Sequence, residues 1–275
     1  MLFRSQLVNG TMPAEMGGGG ATRVNPNSAG GMYAPANRRV ISHNLSVLGG
    51  FLKGSFLRSP LDLATAFASE QTIDELAFAA KIDPYLFRKR NIENPRWLGV
   101  LDAAAKAARW TPRVAHAVKQ NGDIVIGRGI GLGTHFTSFG AAVAEIRVNK
   151  KNGQIAVTHM YGALDCGLCI NPALVENQIS GMMIQAVSRM LYEEVRFDES
   201  AVTSLDWASY PILRFDGHPE ITSVVVQQID EPSSGAGEEV LAAAGAAIAN
   251  ALFDAAGIRL RQFPLTTQRV KAALV

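Results

Sequence analysis

Ala142-Val143-Ala144-Glu145-Ile146-Arg147-Val148-Asn149, then Asn152-Gly153, then Gln154 to Leu164, is the stretch whose reading decides the fold. Val143, Glu145, Arg147 and Asn149 alternate with Ala142, Ala144, Ile146 and Val148, the period-two pattern of a strand. Asn152-Gly153 has the turn chemistry of a hairpin, and Gln154 to Leu164 returns as its second strand. The strand region opens at Gly127. Its glycines at 127, 129, 131 and 133 lack the G-x-x-x-x-G-K-[ST] pattern and lead into a strand rather than a helix, so a phosphate loop is not expected.

Working outward, helices flank the hairpin. Ser59-Pro60 predicts a helix start, with Ser59 as N-cap, Pro60 at the first helical position and Asp62 in the first turn. Phe67, Ile73, Leu76, Ala77 and Ala80 recur at helical spacing through Ile82. Asp83-Pro84 starts a short helix carrying Phe87, and Arg96 to Trp110 gives another. Asn171-Pro172 caps a helix to about Glu194. Strands are expected near Tyr210 to Phe215 and Ile221 to Ile229. A last helix from about Leu241 stops at Gly257, which suits a left-handed C-terminal position. Helices, a hairpin, then helices and strands interleaved make an α+β fold of mixed helices and antiparallel sheets.

The 275 residues suffice for a substantial core, and 48% apolar with 18% charged residues is a globular composition. A net charge of +2 calls for neither nucleic acid nor an anionic membrane. No run reaches the ~20 apolar residues of a membrane span, and the first residues are not those of a signal peptide. Residues 1–37, rich in Gly, Asn, Pro, Ala and Ser, read as a flexible or irregular segment, leaving 38–275 as the domain.

Four groupings carry chemistry. Gly235-Ala236-Gly237-Glu238 places a carboxylate after two glycines at a helix start, where a tight turn brings backbone close to a ligand. Such a glutamate is a candidate general base. Beside Glu239 it also reads simply as a complement to the helix dipole. Gln178 projects from the first turns of the helix after Asn171, its amide offering donor and acceptor, or stands as a surface residue. Arg58 precedes a helix start, where a guanidinium orients a substrate or is merely solvated. Cys166-Gly167-Leu168-Cys169 reads as a redox dithiol or as two small buried residues on a turn. No histidine spacing supports a metal site held by protein ligands.

Taken in order, a set of segments resembles one family. They are Leu57-Arg58-Ser59-Pro60; Glu70-Gln71-Thr72-Ile73-Asp74-Glu75-Leu76-Ala77; Asp83-Pro84 through Phe87-Arg88; Gly127-Arg128-Gly129; Asp165-Cys166-Gly167 with Asn171-Pro172 and Gln178; and Gly235-Ala236-Gly237-Glu238 with Ala249-Asn250-Ala251. The order resembles the C-terminal part of the molybdopterin-binding large subunit of the xanthine dehydrogenase/aldehyde oxidase family, of the isoquinoline 1-oxidoreductase and nicotinate dehydrogenase type. It runs from about Arg58 to Val270.

The resemblance implies oxidative hydroxylation of an aldehyde or N-heterocyclic aromatic, a small-molecule substrate, with water as oxygen source. It makes Glu238 the catalytic base and Gln178, Gly235 and Gly237 molybdopterin-binding residues, with Arg58 orienting substrate. It places [2Fe–2S] clusters on a partner subunit, because two cysteines cannot build a Cys₄ cluster. Departures are Glu239 and Val240 where the family has proline and glycine, and Ser180 where it has an acid. The G-Q-G and G-G-G-F-G segments of full-length relatives are missing. The chain is therefore expected to be an incomplete large subunit, inactive without an upstream half. It is expected in the cytoplasm, or in the periplasm if a signal lies upstream. The competing expectations are a thiol–disulfide protein using Cys166 and Cys169, and a non-catalytic assembly or remnant domain.

Overall fold

The computed structural model describes residues 31–37, 39, 57–60, 62–116 and 122–274. Most of the segment read as irregular, 1–37, lies outside the described residues. Its end is anchored, with Tyr33 bridging to Ile92 and its hydroxyl donating to Glu70 Oε1 at 2.7 Å.

In chain order the elements are α1 (Asp62–Ala79), α2 (Pro84–Arg90), α3 (Pro95–Ala107), β1 (Ile124–His135), β2 (Ser138–Asn149), β3 (Ile155–Asp165), α4 (Pro172–Leu191), β4 (Glu220–Val225), α5 (Glu239–Ala256) and α6 (Thr267–Ala273). The strands form one sheet in the order β1-β2-β3-β4. The first two pairings are antiparallel; β4 adds parallel to β3 after the α4 crossover. The fold is α+β, with α4 and α5 on one face of the sheet and α3 on the other.

The alternation in β2 is the reason for this layering. Ala142, Ala144, Ile146 and Val148 join the core shared with α4 and α5, while Ala141 and Val143 join Ile130 and Leu132 of β1 under α3. Gly153 takes φ +82° in the turn between β2 and β3, a conformation suited to glycine.

Helix α5 is apolar all round because it is buried all round, against β1, β2, α1 and α4. Among the described residues it alone is long and apolar enough to cross a membrane, and 94% of it lies buried inside the structure, as a core helix does. The glycine row of β1 explains how it comes so close. A Cβ at Gly129 would overlap the Ala247 carbonyl oxygen and the Ala251 nitrogen, and Gly127, Gly131 and Gly133 meet α5 in the same way. We therefore expect Gly129→Ala to cost at least about 1–3 kcal/mol, because backbone rather than a movable side chain must give way. Urea denaturation measures it; an unchanged midpoint contradicts the close packing.

Three local expectations are corrected. The stretch from Gly127 to Val148 is two strands joined at Phe136-Thr137, and Ile124 opens the first. Its four glycines carry no side chains to reveal the face they bury. Ser59 does not cap α1: it stands at φ 61° and its hydroxyl donates to the Glu238 carbonyl at 2.8 Å. Tyr210 to Phe215 is irregular and ends in a 3₁₀ turn at Phe215–Gly217; only Glu220–Val225 pairs as a strand there. The remaining caps are as expected. Asn171 accepts from the Leu174 N–H at 3.1 Å, Asp83 from Leu86 N–H at 2.9 Å, and Gly257 takes φ 72°.

Candidate functional site

Four elements end at one place: the N-terminus of α5, the N-terminus of α1, the end of β1 and the start of β2. The turn 235–238 that enters α5 is fastened on three sides. Ser138 of β2 donates its hydroxyl to the Gly235 carbonyl and meets the Ser234 hydroxyl at 2.6 Å. Arg58 Nε donates to the Gly237 carbonyl, and Ser59 donates to that of Glu238. The Glu238 N–H donates to Glu239 Oε2 at 3.0 Å, and the Glu239 side chain turns inward. A Cβ on Gly237 would meet nothing within 4 Å, so the turn borders open space.

Arg58 also joins the second predicted grouping. Its Nη2 donates to Gln178 Oε1 at 2.6 Å, leaving the exposed Gln178 NH₂ for another partner. The structure thus brings Arg58, Gln178, Gly235, Gly237 and Glu238 together. Arg189 of α4 lies beneath them, 8% exposed. It donates from Nη1 to the Arg58 carbonyl at 2.6 Å, while its Nε and Nη2 have no hydrogen-bond partner. Burial draws the Arg189 and Arg58 guanidinium pKa values below the usual arginine range, against the pull of neighbouring carboxylates.

No local sequence signal points to a third member. His135, the last residue of β1, stands between two carboxylates. Its Nδ1 is 2.7 Å from Asp62 Oδ2, a hydrogen bond, and its Nε2 is 2.9 Å from Glu238 Oε2. The second contact is an ion-pair distance without hydrogen-bond alignment, and Glu238 Oε2 is a buried oxygen left without a bonded donor. The three side chains could each offer one ligand atom within 4.8 Å of the others. The carboxylates, however, take opposite nitrogens of the ring, which suits proton bridges better than one metal ion. Only tertiary pairing brings His135 here, across 73 residues from Asp62 and 103 from Glu238, so no short-range pattern could show it. Asp62 was legible only as an acid in a first helical turn.

Burial raises the Asp62 carboxyl to about 6 despite its bond to His135, and raises Glu239 to about 7. A carboxyl with a higher pKa folded than unfolded binds more protons in the native state between those values. Its stabilising effect is complete below the unfolded pKa and is lost as pH rises through about 7. We expect Glu239→Gln to flatten the fall in stability between pH 4 and pH 8 and to stabilise the chain at the upper end. Urea midpoints across that range check it; identical pH profiles for both proteins contradict it.

The cysteines lie apart from this chemistry. Both are buried and free, and burial together with the neighbouring Cys169 sulfur pushes Cys166 up to about 11. A redox dithiol needs the opposite shift. Their loop instead braces the approach to the site, Cys166 O accepting from Ser234 N at 2.8 Å.

Residues 90–219 match the family model of the molybdopterin cofactor-binding domain. The chain is 39% identical over 251 residues to a nicotinate dehydrogenase subunit of Pseudomonas putida, covering 88% of this chain and 21% of the relative. It is 29% identical over 204 residues to the beta subunit of isoquinoline 1-oxidoreductase from Brevundimonas diminuta, covering 72% of this chain and 25% of the relative. Among solved structures, the aldehyde oxidoreductase of Desulfovibrio gigas superposes with TM-score 0.66 over 81% of this chain and 42% of that one. At 17% identity that likeness speaks for the fold. The chain spans about a fifth to a quarter of the length of these curated relatives.

Proposed function

Since this chain belongs to the molybdopterin-binding xanthine dehydrogenase/aldehyde oxidase family, we propose that it forms the base-bearing side of a molybdenum hydroxylase site. The substrate is an aldehyde or an N-heterocyclic aromatic, and water is the oxygen source. The observation that carries the reading is the convergence of Glu238, Gln178 and the 235–237 turn through a single arginine.

The residues fit the cofactor by their unsatisfied groups: two buried Arg189 nitrogens, the free Gln178 amide, and open space beside Gly237. When bound, the molybdenum cofactor supplies the two-electron oxidant and an electrophilic centre. The chain's own groups do the rest. Gln178 hydrogen-bonds the pterin, and the glycine turn lets backbone approach it. Glu238 accepts the proton released as water's oxygen passes to the substrate carbon. Arg58 holds the turn and sets a positive field beside the substrate. Further residues, from the rest of a large subunit, complete the cradle. Electrons leave through [2Fe–2S] clusters on a partner subunit; the names of the relatives mark them as subunits.

Turnover of nicotinate-like heterocycles and aromatic aldehydes in ¹⁸O-water by the assembled enzyme tests this. Label in the hydroxylated product supports the reading, and unlabelled product formed from dioxygen overturns it.

A further inference from the structure

Glu238 does not stand alone: an imidazole and a second carboxylate lie behind it. We propose that His135, pinned by Asp62, is a positioning residue that holds the inner oxygen of Glu238 and leaves the outer one to receive the substrate-derived proton. This rests on the reading of Glu238 as base.

The geometry carries the argument. Glu238 Oε2 is buried against His135 Nε2 at 2.9 Å, although the side chain as a whole is 30% exposed, so its exposed surface belongs to its other atoms. Two carboxylates facing one imidazole are tolerable only if a proton occupies each contact, because a bare ring nitrogen and a carboxylate oxygen repel. Two protons therefore serve three groups. Of the arrangements with one proton in each contact, two leave Glu238 able to accept a further proton: an imidazolium between two carboxylates, and a neutral imidazole protonated at Nε2 beside a protonated Asp62. Both arrangements leave a single net negative charge and a proton on Nε2, 2.9 Å from Glu238 Oε2.

The second arrangement is accessible near neutrality, since burial raises Asp62 to about 6. Both carboxylates lie at helix N-termini, α1 and α5, where the dipoles favour negative charge. The Phe136 ring lies edge-on to the imidazole, ring centroids 4.3 Å apart. The loose alignment at Nε2 is the kind that tightens when a ligand fills the site.

The first test is the ¹⁵N imidazole spectrum of the full chain. Asp62→Asn is expected to move the His135 Nδ1 resonance, and Glu238→Gln its Nε2 resonance. A His135 spectrum unchanged by both substitutions overturns the proposal without requiring a His135 variant to fold. The second is kinetic, in the cofactor-loaded assembly. His135→Gln is expected to lower kcat about tenfold to a hundredfold, as misplacement of a reacting group does, while KM stays within about twofold. Wild-type kcat in His135→Gln beside an inactive Glu238→Gln overturns the positioning role and leaves the base standing. Full activity in Glu238→Gln removes the base reading itself.

Discussion

Glu238→Gln is expected to lower turnover of the assembled enzyme by about a hundredfold to ten-thousandfold, the range a positioned general base contributes. The substitution keeps size and hydrogen-bonding capacity but removes the site at which a proton is accepted. It spares the architecture, because the turn is fastened through backbone carbonyls of Gly235, Gly237 and Glu238, by Ser138, Arg58 and Ser59. KM and cofactor content should therefore change little while kcat falls, the signature of an interaction used in the transition state. A loss of cofactor parallel to the loss of rate would assign Glu238 to binding instead.

The largest effect on stability is expected at Arg88. Its guanidinium is fully buried between α1 and α2. Nε donates to Glu70 Oε2 at 2.9 Å, Nη1 to the Pro84 carbonyl and Nη2 to the Glu70 carbonyl. Asp74 lies 3.6 Å away and is paired in turn with Arg259 at 2.7 Å. Glu70 Oε2 also accepts from the Leu132 N–H at 3.1 Å, and Oε1 from Tyr33, so the pair ties α1, α2, β1 and the segment at Tyr33 together. The surrounding carboxylates raise the Arg88 pKa above its ordinary value despite burial. Arg88→Leu leaves the Glu70 carboxyl buried with its main partner gone. The expected cost is about 3–5 kcal/mol, the usual result of removing half of a buried pair. Urea denaturation measures it, and a change under about 1 kcal/mol would show the network to be replaceable.

The elements most legible in the sequence were those whose signals are local. β2 alternates because Ala142, Ala144, Ile146 and Val148 face the helical core while Glu145, Arg147 and Asn149 on its other face reach toward solvent, and Asn171, Asp83 and Gly257 mark helix ends by their own chemistry. β1 was read only in part, since glycines pack by having no side chain. Ser59 misled because its hydroxyl serves the 235–238 turn rather than its own helix. The proposed site was visible where the resemblance supplied motifs: Glu238, Gln178 and the two glycines. Arg189, Asp62 and His135 were not, because an arginine in a last turn, an acid in a first turn and a histidine ending a strand acquire meaning only when four elements meet.

The most direct measurement of the central claim is molybdenum stoichiometry, by mass spectrometry, in the assembly this chain forms in its native host, for the wild type and for Glu238→Gln. The account predicts about one molybdenum per chain in both, with turnover only in the wild type. An assembly without molybdenum, or a molybdenum-replete Glu238→Gln enzyme that turns over at the wild-type rate, would contradict it.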